Sequence, residues 1–190
     1  MINNKYLNNY NYIISNYKES MENQLNELKQ IKNKDIKEYT LKSIKTIGKV
    51  VDVYDGDTCK IVLLINGKQQ KHSCRLSGID TPEMKPLLKK VNREKEIEHS
   101  HKCRNRLLQL VTTCNVEDIN AILKKKQVKK MIDDDNNKII TVECCEFDKY
   151  GRLLVNLFTD ETCEEHVNEI LITENYAKSY NGGKKNVFTY

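Results

Sequence analysis

Four short blocks of this 190-residue chain carry residues that suit one piece of chemistry. They are Asp55-Gly56-Asp57-Thr58, then Arg75, then Asp80-Thr81-Pro82-Glu83, and then Asp148-Lys149-Tyr150-Gly151-Arg152. Carboxylates such as Asp57 and Asp80 can hold a hard cation, and Glu83 can take a proton from water. Guanidinium forks at Arg75 and Arg152 match phosphate oxygens with paired hydrogen bonds that lysine cannot copy. Together these are the parts of a metal-assisted phosphodiester hydrolase. Each part alone is weak, because Asp-Gly turns and surface arginines are common. Pro82 adds weight. It fixes its own φ and biases Thr81 to an extended shape, which turns Asp80 and Glu83 toward one point and exposes the Thr81 carbonyl as a third oxygen ligand. A shell so poor in protein ligands implies a loosely held cation such as Ca²⁺.

The elements that must position these residues are legible from periodicity. Ile47 to Tyr54 reads as a strand ending at Asp55-Gly56, and Thr58 to Ile65 as a second, rich in β-branched residues. Asn66-Gly67 is the strongest two-residue hairpin signal, so Lys68 to Gly78 returns as a third strand. A two-residue turn there pairs Ile65 with Lys68 and sets Cys59 opposite Cys74 on the core face. A helix follows from about Arg93 to Thr113, then strands over Ile139–Phe147 and Arg152–Thr159, and a last helix from about Cys163 to Tyr176. Five short strands with a helix between the third and fourth is the order of an OB-type barrel, an α+β fold rich in β structure.

Residues 1–44 and about 115–138 lie outside that plan. Six of the first sixteen residues are Asn, which predicts disorder at the extreme N-terminus. From about Ser15 apolar residues recur at helical spacing through Tyr17, Met21, Leu25, Leu28 and Ile31, so the extension reads as partly helical. It either packs on the domain or meets a protein partner. The segment 115–138 carries Lys124, Lys125, Lys126, Lys129 and Lys130 ahead of Asp133-Asp134-Asp135, and reads as an exposed insertion with a solvated face. The chain thus divides into an extension, 1–44, and a single domain, 45–190.

Composition narrows the classes further. A net charge of +5 is mildly basic and compatible with a polyanion partner. Seven cysteines without framework spacing suit free thiols in a reducing compartment. No apolar run approaches a membrane span, and no signal-peptide pattern follows Met1, so the expected location is intracellular and the expected state a monomer. His99-Ser100-His101-Lys102-Cys103 and Cys163-Glu164-Glu165-His166 invite a zinc reading, but their spacings match no strong zinc pattern.

The ordered set of motifs resembles the staphylococcal nuclease (thermonuclease) family. The resemblance is carried by Val53-Tyr54-Asp55-Gly56-Asp57-Thr58, by Arg75-Leu76 through Ile79-Asp80-Thr81-Pro82-Glu83, by Asp148-Lys149-Tyr150-Gly151-Arg152, and by Val167-Asn168 and Tyr176-Ala177-Lys178. It implies an OB barrel with packed helices, and Ca²⁺-dependent cleavage of DNA and RNA to 3′-phosphate ends with little sequence preference. It implies roles as well: Asp57, Asp80 and the Thr81 carbonyl on the metal, Glu83 as general base, and Arg75 and Arg152 on the phosphate. Lys149, Tyr150 and, in the loop after the last core helix, Tyr180 would lie against the nucleotide. The alternative from another class is a noncatalytic OB nucleic-acid-binding module. Such a domain would be expected to lose a metal carboxylate or an arginine, and this chain keeps all five charged positions.

Overall fold

The structure, a computed structural model, describes residues 4–183 and 188, with side chains described from residue 12 onward. Two compact units divide it, Met1–Thr40 and Leu41–Tyr190. The first is dominated by α1 (Asn4–Gln30). This helix begins well upstream of Ser15, because helix propagation is cooperative and carries through the Asn-rich stretch. The disorder expected of the Asn-rich extreme N-terminus is not found from Asn4 onward, and residues 1–3 lie outside the described residues.

The second unit is an OB fold. Strands β1 (Lys45–Val53), β2 (Thr58–Ile65), β3 (Lys68–Leu76), β5 (Ile140–Phe147) and β6 (Leu153–Phe158) close a barrel in the order β1-β2-β3-β6-β5. Two-residue strands β4 (Ile79–Asp80) and β7 (Lys178–Ser179) pair outside it. The Asn66-Gly67 turn takes positive φ at both residues, 50° and 72°, as a tight hairpin requires. Its register pairs Ile65 with Lys68 and Cys59 with Cys74, as expected from the sequence. Alternation then buries Cys59, Ile61, Leu63 and Ile65 on one strand and Leu153, Val155 and Leu157 on another. All seven cysteines are free thiols, and burial pushes Cys74 up to about 12, so it behaves as a small hydrophobe.

Helix α2 (Arg93–Val111) adds Leu107, Leu108 and Val111 to the same core. It is tied to α4 (Val167–Thr173) by a paired Arg106–Glu174 bridge at 2.6 and 2.7 Å. Helix α4 is shorter than the sequence suggests. Cys163 sits at φ 61° and His166 bridges to Phe158, so residues 163–166 form a turn rather than a first helical turn. Buried Asn168 then donates to the Ser77 carbonyl (2.9 Å) and accepts from the Leu157 amide (3.2 Å), which pins α4 to the ends of β3 and β6.

The segment expected to be an exposed insertion is a docked element. Its helix α3 (Lys125–Asp135) buries Val128 and Ile132 in the barrel core, four residues apart on one face, while the lysines and aspartates stay outside. Buried Asn136 donates to the Val50 carbonyl at 2.7 Å, where a register shift between Val50 and Asp52 interrupts the β1–β2 ladder. Ile132→Ala is expected to cost about 2–5 kcal/mol of stability. A urea-unfolding midpoint unchanged from the parent would show that this helix only decorates the barrel.

Candidate active site

The β1–β2 turn is shaped by close contact. A Cβ added at Gly56 would stand 2.7 Å from Cys103 Cβ and 2.9 Å from Thr81 Cγ2, so only glycine lets the turn press against α2 and the Asp80-Thr81 segment. Asp55 Oδ1 accepts from the Asp57 amide (3.1 Å), and the Asp57 carbonyl accepts from the Leu76 amide (2.8 Å). These bonds bring Asp57 against β3 and next to Asp80. Both carboxylates are buried, 2% exposed each, and Thr81 is buried beside them.

Arg75 joins the pair. Its Nη1 donates to Asp57 Oδ1 at 2.7 Å, and its Nη2 donates to Asp80 Oδ1 at 3.0 Å and to the Ile79 carbonyl at 3.2 Å. One guanidinium therefore faces a cluster of three acids. Burial and the neighbouring Asp55 charge push Asp57 up to about 7, against the pull of Arg75 and of the Thr58 hydroxyl. Burial also raises Asp55. A small, oxygen-lined, electron-rich site with an uncompensated charge is what a hard divalent cation fits. Asp57, Asp80 and the Thr81 carbonyl are the protein oxygens that could hold one. No group of three or more His, Cys, Asp or Glu residues is placed to hold a metal among the described residues. Two of the side chains that invited a zinc reading have other partners: His101 Nδ1 lies 3.0 Å from Arg104 Nη2, and Cys103 Sγ donates to the Tyr176 carbonyl.

The raised carboxyl has a consequence for stability. Asp57 keeps its proton to about pH 7 in the folded chain but only to 3.8 unfolded. Across that window the folded state binds the extra proton, so metal-free stability falls as pH rises from about 4 to about 7. Urea titrations in chelator should show this slope, and Asp57→Asn should flatten it. An equal slope in both proteins would place the extra proton elsewhere.

Above this cluster opens a cleft of about 850 Å³. Parallel pairing of β3 with β6 sets Arg75 beside Leu154, two residues beyond Arg152, so both arginines line it. Asp148 fixes Arg152: its Oδ2 accepts from Nε (2.8 Å) and Nη2 (2.7 Å), while Oδ1 accepts from the Tyr150 and Arg152 amides (2.8 and 2.9 Å). Burial works to raise Asp148, but these bonds and the Arg152 charge outweigh it and hold the carboxyl below the usual range. Lys149 and the exposed Tyr150 stand at the rim, with Lys149 Nζ 5.1 Å from the Tyr150 ring. The β4–β7 pair brings in the last partner. It aligns Asp80 with Lys178, and the Tyr180 amide donates to the Gly78 carbonyl at 2.7 Å, which carries Tyr180 to the cleft.

Glu83, Arg75, Arg152, Lys149, Tyr150 and Tyr180 thus line one cleft, whereas Asp57, Asp80 and Thr81 lie beneath it, reached through Arg75. A family model described as staphylococcal nuclease homologue matches residues 73–189. The chain belongs to that family. The match begins at β3, yet the staphylococcal nuclease barrel here is completed by β1 and β2, which deliver Asp57 to Arg75 from outside the matched span. None of the curated proteins compared matches the chain.

The sequence reading of this nuclease-family site named Asp55 and Asp148 only as parts of motifs, without roles, and did not single out Glu96. Asp55 lines the cleft and adds charge to the buried acids. Asp148 orients Arg152, and its only sequence signal was a carboxylate four residues before an arginine. Glu96, 1% exposed in the first turn of α2, accepts from the Glu83 amide at 3.3 Å and pairs with Lys90 at 2.6 Å, so it anchors the segment that carries Glu83.

Proposed function

We propose that this chain is a Ca²⁺-dependent phosphodiesterase that cleaves DNA and RNA with little sequence preference and leaves 3′-phosphate ends. One observation carries the reading: a carboxylate and two arginines converge on a single cleft directly above two buried acids. Three carboxylates line that cleft. Asp148 orients Arg152 and Asp55 braces the turn at Asp57, while Glu83 is exposed on the cleft wall, where water and a phosphate can reach it. Glu83 is therefore the group to accept a proton from water as water attacks phosphorus.

Arg152, held by Asp148, can donate two parallel hydrogen bonds to the phosphoryl oxygens as their charge grows. Arg75 spans the buried carboxylates and the cleft, so it senses both the acids and the phosphate. Lys149 and Tyr150 would steady the neighbouring phosphates. Asp57, Asp80 and the Thr81 carbonyl would hold Ca²⁺, which when bound supplies Lewis-acid polarisation of a phosphoryl oxygen. Departure of the 5′-oxygen leaves the phosphate on the 3′ side. The cleft has the size of a small-molecule site, which favours single-stranded or frayed regions over an intact duplex. Few of its features suggest base-edge readout.

Digestion of plasmid DNA and of RNA in Ca²⁺, in Mg²⁺ and in excess chelator tests the reading. Cleavage is expected with Ca²⁺, less with Mg²⁺, which demands stricter geometry, and none in chelator. Binding of nucleic acid without cleavage under every condition would assign the chain to the noncatalytic class instead.

A further inference from the structure

The segment between β4 and α2 places apolar side chains in solvent. Leu87, Leu88 and Val91 are 82%, 86% and 82% exposed, more than any other large apolar side chain among the described residues. A single exposed leucine is ordinary, but three such side chains within one short turn make a patch that marks a contact surface. The turn is built rather than loose. The Lys90 amide donates to the Leu87 carbonyl at 3.0 Å, which closes a tight turn with Leu88 and Lys89 at its tip. Pro86 is buried, and its carbonyl accepts from Arg93 Nε at 3.3 Å. Lys90 Nζ reaches the buried Glu96 at 2.6 Å, so both ends of the turn are clamped to α2. These clamps hold the two leucines outward.

Charge says what this tip meets. From Met84 to Arg93 the chain carries Lys85, Lys89, Lys90 and Arg93, with no acidic and no aromatic residue. Lys85 and Lys89 are exposed, one on each side of the leucines. We infer that the turn docks the protein on a bilayer containing anionic phospholipid. Leu87, Leu88 and Val91 enter the boundary between headgroups and acyl chains, and Lys85 and Lys89 pair with headgroup phosphates. Aliphatic tips partition into that layer, while long lysine stems let the ammonium groups stay at its polar edge. Each basic residue near an anionic surface adds attraction, within the reach that salt screening leaves it. No helix among the described residues is long and apolar enough to cross a membrane. A contact made by one turn is peripheral and reversible. Polynucleotide is the other polyanion such a turn could meet. Single strands stack their bases on aromatic rings, which the turn lacks. Leucines can wedge a duplex open, but Leu87, Leu88 and Val91 are not among the residues lining the cleft.

The inference does not rest on the nuclease reading, and its test needs no catalysis. Co-sedimentation of the full chain with vesicles of phosphatidylcholine and phosphatidylserine should show binding, and vesicles of phosphatidylcholine alone should bind far less. Leu87→Ser combined with Leu88→Ser should weaken binding by about 100-fold, by removing the inserted apolar groups. Lys85→Gln combined with Lys89→Gln should weaken it by about 10-fold or more at low salt. Protection of the buried Cys59 and Cys74 thiols from labelling will report that the barrel of each variant is folded. In a Cys145→Ser, Cys163→Ser background, an environment-sensitive fluorophore on Leu88→Cys should shift its emission to the blue with anionic vesicles and not with duplex DNA. No binding to anionic vesicles would overturn the inference. So would binding that the double serine variant leaves intact, which would place the contact on α1 or on the Lys124–Lys130 run. A blue shift with duplex DNA instead of vesicles would also overturn it, and would make the turn a wedge for nucleic acid.

Discussion

Glu83→Gln is expected to cut turnover by about 10²–10⁴-fold, the usual contribution of a positioned general base. The amide keeps the side chain's shape and polarity but cannot accept the proton of the attacking water. The loss should fall on kcat, with nucleotide binding and unfolding midpoint close to the parent's, because the Glu83 side chain stands exposed at the cleft wall rather than in the core. A partner experiment separates chemistry from placement. Glu96→Gln keeps an acceptor for the Glu83 amide but weakens the Lys90 bridge, so it should lower kcat far less and leave the shape of the pH–rate profile unchanged. Single-turnover rates across pH, at saturating Ca²⁺, read both. Near-parental turnover for Glu83→Gln would remove Glu83 from the base role.

The barrel was readable because its signals are local. Asn66-Gly67 fixes one hairpin, and once that register is set, alternation places Cys59 against Cys74 and aims Arg75 away from the core. What escaped the reading depends on contacts between distant segments. Three apolar residues, Val128, Met131 and Ile132, among five lysines and three aspartates do not announce a docked helix, yet Val128 and Ile132 are buried in the core and Asn136 donates to the Val50 carbonyl. Strands of two residues are too short for alternation to register, so the β4–β7 pair, and with it the approach of Tyr180, had no sequence signature. The site followed the same rule. Residue types named Asp57, Asp80, Arg75 and Arg152, but nothing in their spacing says that Arg75 lies on both acids, or that Asp148 closes a four-bond clasp around Arg152 and its turn.

That clasp makes the arginines the second place where a small change should have a large effect. Arg152→Lys keeps the charge but loses the fork, and lysine can offer a phosphoryl group only a point contact. Removing one preorganised donor to a developing oxyanion costs about 10²–10³-fold in kcat, and Arg152→Lys is expected in that range. Arg75→Lys should fall at least as far, for an added reason. Arg75 divides two hydrogen bonds between Asp57 and Asp80, and a lysine ammonium cannot hold both acids in the same planar geometry. The two variants should therefore differ in a second readout. Arg75→Lys should carry the loss of metal-free stability on above pH 7, because Asp57, with less compensation, keeps its proton to higher pH in the folded chain. Arg152→Lys should leave that window alone, since its partner Asp148 belongs to another cluster. Asp148→Asn completes the comparison: the guanidinium survives without its clasp, so activity should drop less than for Arg152→Lys. Parental cleavage rates from both lysine variants would reduce the arginines to positioning charges. A pH window extended equally by both would show that the buried acids and the Asp148 clasp form one electrostatic unit rather than two.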